Sequence, residues 1–357
     1  MMFEEELTSQ QKNSTALGRR NTENFFNAAG IDRKDFEAFT LRRFDADSCA
    51  LYVSTVPRGL AGSTSDIDLI LLVKSPVAPT DMNSNMLFFQ NRRVGLKQIY
   101  DQDVASTFNA LETICSHGSD LNLVAQTLKQ QPVKWADLER VVYGISFSTD
   151  SPFVDKLPIL GRAAVAISLR DFAANALLCN IAARGAYGSG VYAYGFAALT
   201  AAMDVIMALC GRIQSNTKWT FERWRRFAAE PSGDQIGSFV APITTLYQSI
   251  MRVQATEVQT VTEQLQSVGQ LLAKSVDRWG WSASANLRLP TNVVAQRFLP
   301  NATSLCRMDL AAAVETEIVQ PLLAQEPLSV DDMPRDSAAA ILKLIQHGLI
   351  ETYSLPS

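Results

Sequence analysis

Histidine is nearly missing from this 357-residue chain, which holds only His117 and His347. That excludes a His-rich metal centre and an HExxH zinc helix, and leaves a Ser–His–Asp triad two candidate bases. His117 lies in SHGSD, which reads as a helix-ending turn. His347 precedes Gly348 at a helix C-terminus, where a cation suits the dipole, so both read as structural. Cysteine is also sparse: five residues, an odd number, with no CxxC pair. Free thiols in a reducing compartment fit that pattern better than a disulfide framework or a zinc site. Only 19% of residues are charged and the net charge is −4, which argues against a nucleic-acid-coating surface. The N-terminal run MMFEEELTSQQKNST lacks the apolar segment of a secretory signal. The most apolar region, residues 163–210, is broken by Arg170, Asp171, Asn180, Arg184 and a glycine cluster. It reads as buried helices rather than a membrane span. The expectation is a cytoplasmic protein with no membrane partner.

What the chain does have is enough apolar material, 47% of residues, for two or three domains. The pattern predicts an α+β protein. Residues 1–20 read as a mobile tail and 21–115 as a small α/β domain with a mixed sheet. Residues 116–289 read as an α-helical domain, including a single long helix over 244–274. Residues 290–357 read as a winged-helix-like C-terminal segment: a linker over 290–300, a helix over 309–323, then a helix–turn–helix ending in a short strand. Its second helix offers only Lys343 as a cation, so a peptide or protein partner fits it better than DNA.

The stretch ALYVSTVPRGLAGSTSDIDLILLVK, residues 50–74, carries the chemistry. It predicts strand, Gly/Ser/Thr-rich turn, strand. Alternation puts Asp66 and Asp68 on one face of the second strand and Ile67, Leu69 and Leu71 on the other. Paired carboxylates on a rigid strand beside a turn of small residues suit Mg²⁺ and a triphosphate. The glycine-rich run GLAGSTSD is no P-loop, because no Lys follows Gly62-Ser63.

These residues resemble the core motif of the DNA-polymerase-β-type nucleotidyltransferase superfamily. The resemblance rests on Ser54-Thr55, Gly59 and Ser65-Asp66-Ile67-Asp68, with eleven positions from Thr55 to Asp66. It covers about fifty residues closely and extends loosely to about residue 230. It implies that Asp66 and Asp68 bind Mg²⁺ and are catalytic, and that Ser54, Thr55, Gly59 and Ser65 meet an NTP, ATP being the first candidate. The run Asn216–Trp219 resembles an N-x-K-W element of some members, which implies a phosphate contact for Lys218. The implied activity is transfer of an NMP to a small-molecule or protein hydroxyl. The chain departs from the family in two ways. The usual Gly-Ser is Ser54-Thr55, and the third carboxylate expected on the following strand falls at Gly95, with Lys97 on the same face. The alternative reading is therefore a degenerate member that binds a nucleotide, peptide or protein as a scaffold or regulator.

Overall fold

The computed structural model describes residues 2–43, 48–76, 84–115, 120–148, 151–213, 215, 217–229, 234–251, 258–308, 310–326, 328, 330 and 333–356. The chain is α+β and divides into two compact units. Unit 1 comprises residues 1–115, 125–164 and 207–216; unit 2 comprises 116–124, 165–206 and 217–357. His117 and Asn216 lie outside the described residues.

Unit 1 is built on a five-stranded sheet of order β3-β4-β2-β1-β5. Its strands are β1 (Cys49–Tyr52), β2 (Ile67–Val73), β3 (Ser84–Phe89), β4 (Arg92–Tyr100) and β5 (Ile145–Ser146). All pairings are antiparallel except β2 with β4, which run parallel. The β3–β4 hairpin turns on Gln90 and Asn91, both at positive φ, the backbone of a tight type I′ turn.

Two helices cover one face of this sheet. Where the sequence suggested a tail, helix α1 runs Met2–Ala29 and is anchored by buried Phe25 and Phe26. It stops at Gly30, at φ +66°, with Ile31 N–H donating back to Phe26 O at 3.1 Å. Helix α2 (Arg33–Leu41) starts on Asp32, whose carboxylate accepts the Asp35 N–H. Phe26, Phe36 and Tyr52 pack with Ile67, Leu69, Leu71, Val94 and Leu96 in one core. The Tyr52 hydroxyl donates to Glu37 at 3.0 Å, and burial, then Glu37, raises the phenol's pKa so that it stays a donor. Helices α3 (Asp101–Ile114) and α5 (Trp135–Tyr143) belong to this unit; the ten-residue α4 (Leu121–Gln130) lies between them in the chain.

Helices α6 (Leu157–Arg184) and α7 (Gly188–Leu209) follow. Only residues 185–187 separate them, and the Gly/Tyr-rich run that follows is part of helix α7. Two helical stretches, Val154–Arg184 and Gly188–Leu209, are long and apolar enough to cross a bilayer by length and composition, yet 44% and 56% of their apolar windows are buried within the fold. Helix α8 (Thr220–Ala229) follows a short 3-10 turn, Thr217–Trp219. Asp204 of α7 faces Arg223 of α8 at 3.4 Å, and burial lifts its pKa to about 6 despite that cation.

The single helix expected over 244–274 is two, α9 (Asp234–Met251) and α10 (Val258–Val276). Gly280, at φ +65°, then turns the chain into β6 (Trp281–Arg288), a strand the sequence reading missed. The expected linker contains β7 (Val294–Leu299), which joins β8 (Ala302–Arg307) and β9 (Leu310–Glu315) in an antiparallel sheet. The helix expected over 309–323 is β9 followed by α11 (Thr316–Leu323). Alanines drove that misreading: LAAAVE has helix formers, yet pairs with β8 along its length. Helix α12 (Arg335–Gln346) ends on Gly348, and β10 (Glu351–Pro356) pairs with β6.

Candidate functional site

Asp66 and Asp68 stand at the open end of β2, on the face opposite the Phe26–Phe36–Tyr52 core. The buried pattern Ile67, Leu69, Leu71 forces this by alternation. The Asp66 side chain is 52% exposed, and its one ion-pair partner among the described residues is Arg93 Nε, at a loose 3.8 Å. Asp68 is half-buried. Asp66 immediately precedes β2 and Asp68 is its second residue.

The turn after β1 is tightly made. Val53 N–H donates to Asp68 O at 3.0 Å, carrying the antiparallel ladder to the edge of the turn. Leu60 N–H donates to Thr55 O and Gly59 N–H to Val56 O, while buried Val56 pins the turn to the core. Gly59 has φ +66°, and a Cβ there would meet Asn21 Nδ2 at 2.9 Å, so glycine is required. Asn21 itself donates to Pro57 O. Ser54 also sits in the left-handed region, at φ +64°. That is the position where the motif carries glycine, and here a serine bears the strain. The Ser65 hydroxyl accepts Gly62 N–H at 2.9 Å, which closes the second bend just before Asp66.

Strand β4 lies beside β2 with Gly95 opposite Asp68 and Lys97 opposite Ile70. A Cβ on Gly95 would come within 3.0 Å of Asp68 Oδ1. The missing side chain thus gives the Asp68 carboxylate its room, and no third carboxylate comes from that strand. Lys97 does not bear on the pair as an uncompensated charge. Its Nζ lies 2.6 Å from Asp137 Oδ2, on buried α5, with Arg140 3.7 Å from the other oxygen. Asp101, just past β4, sits in the first turn of α3 and is paired with Lys74. Among the described residues no group of three or more His, Cys, Asp or Glu side chains is arranged to hold a metal ion. Two carboxylates could supply at most part of a divalent cation's oxygen shell.

Sequence reasoning missed the clamp behind the turn. Arg58 pairs with Glu139 of α5 and donates to Ile213 O at 2.7 Å. Its guanidinium lies 3.5 Å from the Tyr143 ring centre. Glu139 accepts from Ser215 Oγ at 3.1 Å. The available signal was WADLERVVY, where Asp137 and Glu139 interrupt an apolar helix; both are buried, and buried charges are paired. Arg92 was missed too. Its Nη1 donates to Ser65 O at 2.8 Å, and its guanidinium lies over Phe25. Lys218 is in unit 2, exposed, with Nζ 5.3 Å from the Trp219 ring centre.

A comparison with curated proteins finds no match to this chain. One family model covers almost all of it, residues 11–353, and by that match the chain belongs to the family of unknown function DUF6001.

Proposed function

We propose that this protein is a Mg²⁺-dependent nucleotidyltransferase that moves an NMP from an NTP to a hydroxyl of a small molecule or protein. One observation carries the reading: Asp66, just before β2, and Asp68, its second residue, lie at an end of the strand that is not buried, directly beside a turn whose left-handed positions, Ser54 and Gly59, allow close backbone approach. Asp66 and Asp68 would hold Mg²⁺. When bound, the ion neutralises phosphate charge and orients the α-phosphate for in-line attack. Thr55 and the turn backbone would receive the terminal phosphates, with Ser54, Gly59 and Ser65 shaping the approach. The acceptor oxygen bonds to the α-phosphorus as the bond to pyrophosphate breaks. The ion pair between Lys97 and Asp137 supports the reading, since it removes the lysine's positive charge from the balance around the site. Five cysteines with no CxxC pair fit a reducing cytoplasm.

A second reading has its own observation. With Gly95 where a third carboxylate would stand, the site has no base for the acceptor on β4. On that reading the chain binds an NTP without transferring from it and acts as a scaffold or regulator. The segment from residue 290 would then be a winged-helix-like dock for a peptide or protein; the antiparallel β7–β8–β9 sheet followed by α11 and α12 supports this.

Calorimetric titration of ATP, GTP, CTP and UTP, with and without Mg²⁺, tests both. Mg²⁺-dependent binding that Asp66→Ala and Asp68→Ala remove, with pyrophosphate released when acceptors are added, is expected for the enzyme. The same binding with no pyrophosphate across an acceptor screen favours the scaffold. No nucleotide binding at all overturns both.

A further inference from the structure

Gly95 does more than leave room for Asp68. Strand β4 lies between β2 and β3, so Gly95 has Asp68 opposite it on one side and Met86 on the other. Arg93, two residues earlier on β4, has Phe88 opposite it. Leu87 and Phe89 pack into the Phe26–Phe36–Tyr52 core, so Met86 and Phe88 project from the other face of β3. They are 46% and 66% exposed. Arg93 joins the two sides of this face: its Nε donates to Met86 Sδ at 2.9 Å and lies 3.8 Å from Asp66 Oδ2. The face thus passes from Asp68, over a bare glycine and beside one guanidinium, to an apolar shelf.

The sheet order gives that shelf a place in the reaction. The turn between Tyr52 and Ile67 joins β1 to β2, and β1 flanks β2 on the side away from β4. With the terminal phosphates in that turn, pyrophosphate leaves on the β1 side. In-line displacement puts the attacking oxygen on the opposite side, toward β4. The acceptor then lies over Gly95. Its body meets Met86, two strand spacings or about 10 Å from Asp68, and Phe88 beside it. Strand β4 carries no carboxylate to take the acceptor's proton, and Asp101 and Asp137 are held by Lys74 and Lys97. An acceptor for such a site must give up its proton easily. A phenol, with a pKa of about 10, does so far more readily than an alkyl alcohol.

We propose that the acceptor hydroxyl is phenolic, with its ring on Phe88 and Met86 and its phenolate charge held by Arg93. This rests on the nucleotidyltransferase reading. The phenol gives its proton to water and its oxygen bonds to the α-phosphorus. The bond from that phosphorus to the bridging oxygen breaks, and pyrophosphate departs. Ring–ring and sulfur–ring contacts favour an aromatic acceptor over an aliphatic one of equal size.

The acceptors tested are para-ethylphenol, its saturated match para-ethylcyclohexanol, and a short peptide with one central tyrosine. Each is given with Mg²⁺ and the NTP that calorimetry selects. Expected is pyrophosphate release with a phenol and none with the cyclohexanol; reaction of the peptide alone assigns the phenol to a tyrosyl side chain. Phe88→Ala should raise KM for the phenol about tenfold and leave kcat and Mg²⁺-dependent NTP affinity unchanged. The rate should climb with pH, and a more acidic fluorinated phenol should bring that climb to lower pH. The charged groups around the acceptor, Asp66, Asp68, Arg93 and the Lys97–Asp137 pair, are the same for every substrate, so a limb that moves with the phenol reports the phenol. Binding is read without turnover by saturation-transfer NMR, using an NTP analogue with a methylene bridge between its α- and β-phosphates. The para-ethylphenol signal should be lost in Phe88→Ala, and Met86→Ala serves as a second variant. The proposal alone is overturned if NTP binds with Mg²⁺ and the cyclohexanol reacts as well as the phenol, or no phenol reacts. It is likewise overturned if both variants leave the phenol's KM and NMR signal unchanged. Absence of NTP binding overturns the proposal and the underlying reading together.

Discussion

Asp66 and Asp68 stand two residues apart at the start of β2; Asp137 and Glu139 stand two residues apart on α5. On the strand that spacing puts both carboxylates on one side, while on the helix it sends them apart. Asp137 reaches Lys97 and Glu139 reaches Arg58, each buried and each matched by a cation in hydrogen-bond contact. Asp66 is half-exposed and, among the described residues, is paired only with the distant Arg93 guanidinium. The helix pair is neutralised within the chain and holds it together. The strand pair leaves negative charge facing solvent, which is the condition for taking up a cation from outside.

Breaking the helix pair should have the largest effect. Glu139→Ala leaves the Arg58 guanidinium buried without its carboxylate and should cost about 3–5 kcal/mol in urea unfolding. Adding Arg58→Ala should cost less than the sum of the two single changes, because the second removes the charge that the first orphaned. The strand pair should behave in the opposite way. Asp68→Ala should leave the melting temperature nearly unchanged and weaken Mg²⁺-dependent NTP binding by about a hundredfold or more, about 3 kcal/mol. A variant that melts many degrees lower would place Asp68 with the structural carboxylates instead.

Asp204 in unit 2 sharpens the contrast from a third position, buried but only weakly paired. Its folded pKa of about 6 lies above the ordinary 3.8, so between those values the folded chain holds a proton that the unfolded chain has lost. Its contribution to stability therefore falls as pH rises from about 4 to about 6 and stays low above that. Asp204→Asn should flatten the melting profile over this window by about 1–3 kcal/mol. The smallest effect expected is from Ser54→Gly. Relief of the left-handed serine should stabilise the fold by about 1 kcal/mol in denaturant titration, with NTP affinity kept or improved.

Strand β2 was legible because IDLILLV is a short apolar run, and the turn was legible from Gly59 and its small neighbours. The clamp was not, because no local pattern joins Arg58 to Glu139 and Ile213; tertiary contact alone defines it. Helix α1 was misread as a tail because its first half is polar, and the residues that anchor it, Phe25 and Phe26, come at its end. Strand β6 was hidden in SASA, a run too small and polar to declare a sheet, although its other end carries buried Asn286 and Leu287. Strand β9 was hidden behind alanines whose intrinsic preference is helical.

The Arg58 guanidinium ties residues 81 and 155 positions apart in sequence to one turn. An N-terminal fragment ending near residue 115 would contain Asp66, Asp68 and the turn residues, yet not the partners that fix the turn's shape. Closing those loops is an entropic cost met late in folding, after the local β1–β2 hairpin can form. The candidate site is therefore a property of the long chain rather than of its most recognisable segment. A ligand that tightens the turn would draw its stabilisation from residues 81 and 155 positions downstream of Arg58.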